Sequence, residues 1–190
     1  MRIAGYITLV WILGIPACEN HRREVRPVSE QHLAPARVGL YDSRALAVAY
    51  CDSDGHKDQE RRLKEALEKA RQSGKADQIR QADRALWEAR KRMHRQAFST
   101  YPVDDILRQY PDEVDRIKRE ENLTALISRW DAKMMDRHRH AERVDITERL
   151  VHLLTTDERR RLRAMQIINT KPIPPVQYEV MLRMEAGKHY

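Results

Sequence analysis

The apolar positions of this chain change period several times, and the changes mark out its elements. Arg37 to Tyr50, RVGLYDSRALAVAY, reads as a short strand running into a helix. Val38, Leu40 and the ring of Tyr41 form a β-type run after the break at Pro35. Asp42 or Ser43 supplies an N-cap, and Ala45, Leu46 and Ala49 open an apolar helix face. A lone strand leaves backbone donors and acceptors unpaired, so this one requires a partner. Leu123 to Trp130, LTALISRW, is the best candidate, and a short third strand is expected near His138 to Glu142.

Between those strands the period is helical. In His56 to Gln72, Leu63, Ala66, Leu67 and Ala70 share one face. In Ala76 to Thr100, Ile79, Ala82, Leu86, Ala89, Met93 and Ala97 recur at alternating three- and four-residue steps. Ser73-Gly74-Lys75 between them is a helix stop and tight turn, so two antiparallel helices on thin Ala-rich seams are expected. Pro102 starts another helical face, Val103, Ile106, Leu107, Tyr110, Val114 and Ile117, which Pro111 kinks or restarts. Val144-Asp145-Ile146-Thr147 leads into a helix with Leu150, Val151 and Leu154 inward. Thr155 to Glu158 caps one more, with Leu162, Met165 and Ile168 inward. Lys171 to Pro175 must be extended, and Tyr178 to Met184 has a weak helical pattern that packs on the body or on a neighbouring subunit.

The expected fold is α+β: mostly helical, with a small antiparallel sheet and a projecting helical hairpin. The expected organisation is a signal peptide over 1–17, a polar tether over 18–36, a body over 37–168 containing the hairpin 56–100, and an extension over 169–190. Composition agrees. Of 190 residues 34% are charged, only one is Phe and six are Gly, which disfavours a large β core and suits elongated helices with narrow seams. The mean hydropathy is −0.77. The formal charge is +7, which favours acidic partners. Residues 56–100 hold thirteen Lys and Arg against seven Asp and Glu, so the hairpin carries most of that surplus.

Met1 to Ala17 holds one basic residue, Arg2, then the apolar run IAGYITLVWILGIPA ending in small residues before Cys18. That is the pattern of an export signal, too short for a comfortable membrane span. Ile15-Pro16-Ala17-Cys18 resembles the bacterial lipoprotein box, which implies cleavage before Cys18 and lipidation of its thiol; plain signal cleavage is the alternative. Export makes nucleic acid an unexpected partner. Cys51, the only other cysteine, is then a single thiol, either small and buried at the end of the first helix, the favoured reading, or exposed for intermolecular pairing.

Candidate chemistry is sparse. Asp52-Ser53-Asp54 lacks the closing glutamate of a calcium loop, whose twelfth position is Leu63. Asp104 and Asp105 are adjacent on a helix, where side chains diverge, and acids suit a first turn. Met134, Met135, His138 and His140 offer soft donors, but Arg137 and Arg139 interleave and repel a cation. There is no phosphate-cradling glycine loop, nucleophile elbow or paired Cys/His motif, so neither an enzyme nor a cofactor is expected. The candidate contacts are instead on the hairpin: Arg61, Arg62 and Lys64 in the first arm; Trp87, Arg90, Lys91, Arg92 and Met93 in the second. Trp87 lies off the seam, either packed on the base of the fold or exposed.

The order export signal, strand, helix, basic hairpin, strand and VDIT-initiated helix resembles the Skp/OmpH family of periplasmic chaperones. RVGLYDSRALAVAY, ALISRWD and VDITERLVHLL carry the likeness, over roughly Arg37 to Leu154. VGLYDSRA and PVDDIL are also similar to uncharacterised exported bacterial proteins of that broad group. The resemblance implies an envelope protein that binds unfolded or outer-membrane proteins through basic helical arms, without ATP, as a homo-oligomer, trimeric in that family. Its departures are shorter arms, the extension after Thr155 and the lipid anchor. LVHLLTTDERRRLRAM is similar to the repeats of Spy/CpxP-type all-helical chaperones and stress or metal sensors. A structural or adaptor lipoprotein docking a fixed envelope partner is the rival reading.

Overall fold

A computed structural model describes residues 36–186. The expected signal peptide, residues 18–35 of the expected tether, including Cys18, and residues 187–190 lie outside those residues. Strand β1 (Arg37–Tyr41) is the centre of a three-stranded sheet, with β2 (Ala125–Ser128) and β3 (Glu142–Asp145) on either side. Val38 is opposite Ala125 on one flank and Arg143 on the other. Both pairings are parallel, which corrects the antiparallel expectation. Parallel neighbours need long crossovers rather than tight turns, and here each connection carries helices. The third strand begins where the expected one ended, because residues 138–141 turn rather than extend.

Gly39 is a requirement of this sheet. A Cβ there would lie 2.7 Å from Leu123 Cδ1 and 2.8 Å from Ile146 Cδ1, so its absence lets side chains beside both outer strands close over β1. Asp42 then caps α1 (Ser43–Cys51), its carboxylate accepting from Arg44 N at 3.0 Å. Seven of the nine residues of α1 are buried, Ala45, Leu46, Ala47 and Ala49 among them. Small side chains all round the helix allow neighbours to approach from several directions.

The chain next forms α2 (Asp54–Ser73), capped by Ser53, and α3 (Ala76–Phe98). A single turn, α4 (Asp104–Leu107), and α5 (Pro111–Glu120) follow, with Pro111 in the first turn of α5, where its missing N–H costs nothing. Helix α6 (Ala132–Arg137) links β2 to β3. Helices α7 (Thr147–Leu154) and α8 (Glu158–Gln166) lead through a 3-10 turn at Ile167–Asn169 to α9 (Pro175–Ala186). The core gathers on α1: α3, α7, α8 and the 3-10 turn all pack against it. Its fully buried members include Leu46, Val103, Leu150, Val151 and Ala164.

The fold is thus α+β and mostly helical, with the small sheet at one side of α1 and a hairpin leaving the other end. Two local expectations change. Leu162 points outward, 58% exposed, because α8 turns its small Ala164 to the core while Met165 and Ile168 are half-buried. Cys51 is exposed rather than buried, at the last residue of α1.

Candidate functional site

The hairpin is built from α2 and α3, about 34 Å long at 1.5 Å per residue for the longer arm. Gly74 closes it at φ +68°, the left-handed conformation that glycine takes without a Cβ penalty. Helix α2 packs along α3 and, at its root, on α1. Only Leu67 and Ala70 of α2 are buried; Leu86, Met93, Gln96 and Ala97 are the buried residues of α3. The seam is therefore thin, and polar bracing supplements it. Arg90 donates to Glu60 Oε1 at 2.9 Å across the two arms, and Lys64 reaches the same oxygen at 3.2 Å. Those two cations hold the Glu60 carboxyl below its usual range.

The root is more enclosed. Tyr50 of α1 donates to Gln109 Oε1 at 3.0 Å, and its ring lies 5.5 Å from that of His56. Burial pushes the His56 imidazole below its ordinary pKa, and its Nδ1 is buried without a hydrogen-bond partner among the described residues. A cavity of about 230 Å³ opens there, with Leu63, Leu86 and Met93 on its apolar side and Arg92 and Asp105 at its polar end.

The predicted contact residues divide into spent and unspent groups. Arg61 pairs with Asp58 at 2.9 Å, Arg90 and Lys64 pair with Glu60, and Arg92 lies 3.8 Å from Asp105. Met93 is 8% exposed and belongs to the core, so it presents little to a partner. Trp87 is 45% exposed, which answers the question the sequence left open, and Lys91 Nζ lies 4.5 Å from its ring centroid. Arg62, Lys69, Arg71, Lys75 and Arg84 have no carboxylate within 4.0 Å among the described residues. Four of these five went unnoticed in the sequence, where runs of basic residues stood out and isolated ones did not. His94 and Phe98 were also passed over, although Trp87, Lys91, His94 and Phe98 fall at i, i+4, i+7 and i+11, one helical face.

A second cluster sits at the carboxyl ends of the three strands, where open parallel sheets commonly bind ligands. Asp42 follows β1, Trp130 follows β2 and Thr147 follows β3. The Asp42 carboxylate accepts from Arg44 NH2 at 2.9 Å and from Trp130 Nε1 at 3.1 Å, while its backbone N donates to Thr147 Oγ1 at 3.0 Å. Arg44 also donates to the Thr170 carbonyl at 2.8 Å and lies 4.9 Å over the Trp130 ring. Burial alone would raise the Asp42 pKa, but the bonds from Arg44 and Trp130 outweigh it and hold the carboxyl low. Each of these donors is satisfied by the chain itself, so the cluster is a closed clamp tying the strands to the 3-10 turn. His138 and His140 lie between α6 and β3, off any strand, and no group of three or more His, Cys, Asp or Glu placed to hold a metal occurs among the described residues. No described helix is long and apolar enough to cross a membrane.

Compared with protein-family models, curated proteins and solved structures, the chain matches none.

Proposed function

We propose that this protein is a non-catalytic binding protein of the bacterial envelope. It holds unfolded or outer-membrane polypeptides as an ATP-independent chaperone of the Skp/OmpH kind, exported and tethered through Cys18. The observation that carries this reading is the hairpin. It leaves the body as a thin two-helix arm, and its unpaired cations stand on the solvent side of a seam that needs none of them. Charges not used in folding attract acidic segments over a Debye length of about 8 Å at physiological ionic strength. Contacts of this shallow kind release as readily as they form, which suits a protein that must give its client back.

The rival is an adaptor that docks one folded partner. The internal bracing of Arg61, Lys64, Arg90 and Arg92 favours it, since a stiff arm suits a fixed surface. The two readings separate in an aggregation assay on the mature chain with several unrelated denatured membrane proteins. A holdase suppresses aggregation of most of them at near-stoichiometric ratios, more weakly as salt rises. Suppression of none, together with capture of a single folded envelope protein, overturns the proposal in favour of the adaptor.

A further inference from the structure

The outward face of α3 does not end on bare helix. At its root an apolar groove of about 250 Å³ lies between α1, α3 and α8, lined by Val48, Cys51, Met93, Ala97, Phe98 and Arg163. Phe98 is 46% exposed and its ring lies 5.8 Å from that of His94, so the groove has an aromatic rim on the α3 side. Arg163 on the opposite rim is neutralised by Asp52 at 3.2 Å. Toward the tip, the same face of α3 carries Lys91 over Trp87, then Arg84, neither with a carboxylate within 4.0 Å among the described residues. An apolar receptacle is thus continuous with a line of aromatic and cationic groups.

We infer that this track binds an extended polypeptide segment with one bulky apolar side chain in the groove and carboxylates beside Lys91 and Arg84. The inference rests on the protein-binding reading above and specifies which surface of the hairpin does the binding. Helix geometry sets the spacing. Lys91 lies about 7 Å and Arg84 about 18 Å along α3 from the middle of the groove at 1.5 Å per residue. A β-extended ligand advances about 3.3 Å per residue, which puts its acids about two and about five residues from the apolar one. An anionic bilayer has the charge but not the form. The groove is concave and takes a side chain, whereas a membrane surface needs protruding apolar groups.

The test uses the full mature chain and a labelled eight-residue serine peptide with one leucine and glutamates two and five residues from it, in both chain orders. Binding is followed by anisotropy. The wild type is expected to bind this peptide and not its lysine-for-glutamate or leucine-free counterparts. Lys91→Glu with Arg84→Glu is expected to weaken binding at least tenfold, and Lys91→Arg to leave it unchanged. Phe98→Ala, an exposed position whose loss leaves the core intact, is expected to weaken the leucine-dependent part. Equal binding of the lysine peptide overturns the inference, as does binding to phosphatidylglycerol vesicles without binding to the peptide. The same variants in the aggregation assay separate the two levels. If Lys91→Glu with Arg84→Glu suppresses aggregation as well as the wild type, the track is wrong and the chaperone reading stands. If the wild type binds the peptide yet suppresses nothing, the track stands and the chaperone reading is wrong.

Discussion

The body and the hairpin handle charge in opposite ways. In the body, Arg44 and Asp42 are 1% and 0% exposed, and every donor of that arginine described above meets an acceptor of the chain itself. In the hairpin, cations are abundant, exposed and only partly paired. A buried pair is held by its geometry and is costly to break from one side, whereas exposed pairs are each worth roughly 0–1 kcal/mol. Side-chain identity in the body is therefore constrained by folding, and at the unpaired positions of the hairpin it is not.

The sharpest way to break this contrast is to remove one member of the buried pair. Arg44→Met strands the Asp42 carboxylate among Trp130 and Thr147 and is expected to cost about 3–5 kcal/mol, seen as a lower midpoint in urea unfolding. The hairpin's largest single-site sensitivity is in its backbone. Among the described residues nothing lies within 4 Å of a Cβ built on Gly74, so Gly74→Ala carries only the left-handed penalty, about 1–2 kcal/mol, and loosens the tip without disturbing the body. Hydrogen exchange resolves the two regions: protection should fall near residues 70–80 and hold in β1 and α1.

A smaller effect sharpens the comparison through pH. The folded state keeps His56 neutral because burial depresses its pKa, so nothing is lost while the pH stays above the unfolded value of about 6.5. Below it the unfolded chain takes up a proton that the folded chain resists, and stability falls as pH drops toward the lower folded value. The depressed carboxyls of Asp42 and Glu60 act further down, their contribution being present above about 4 and lost as pH falls through their folded values. The root of the hairpin should therefore loosen between pH 7 and 5.5 while the clamp holds. A Tm that declines over this range in the wild type and stays flat in His56→Gln bears this out; parallel declines contradict it.

Much of this architecture is legible in short stretches of sequence. The strand, the Asp42 cap and α1 follow from local pattern, as do the two arms of the hairpin and its Gly74 turn. That β1 pairs with the Leu123 to Trp130 segment was also legible, since an isolated strand has to find a partner, but the register was not. Strand direction was not: it depends on how the intervening helices return the chain, and no local pattern records that. Leu162 misled because amphipathic reading favours the largest apolar residue, while packing against α1 leaves room only for Ala164. Only the Asp42–Arg44 part of the clamp is local; Trp130 and Thr170 are brought to it by the fold, and no local pattern records that. On the hairpin, runs of basic residues drew attention to Arg90 and Arg92, which the structure spends on Glu60 and Asp105. Lys91 of the same run, and Arg62, Lys69, Lys75 and Arg84, have no carboxylate within 4.0 Å among the described residues.

That division is tested most directly by reversing Arg62, Lys69, Lys75 and Arg84 together to glutamate and measuring Tm and aggregation suppression on the same sample. No carboxylate lies within 4.0 Å of these side chains among the described residues, and exposed substitutions of this kind each shift stability by no more than about 0.5 kcal/mol. The account predicts a Tm within a few degrees of the wild type and loss of most of the salt-sensitive suppression. Suppression unchanged at an unchanged Tm would contradict it.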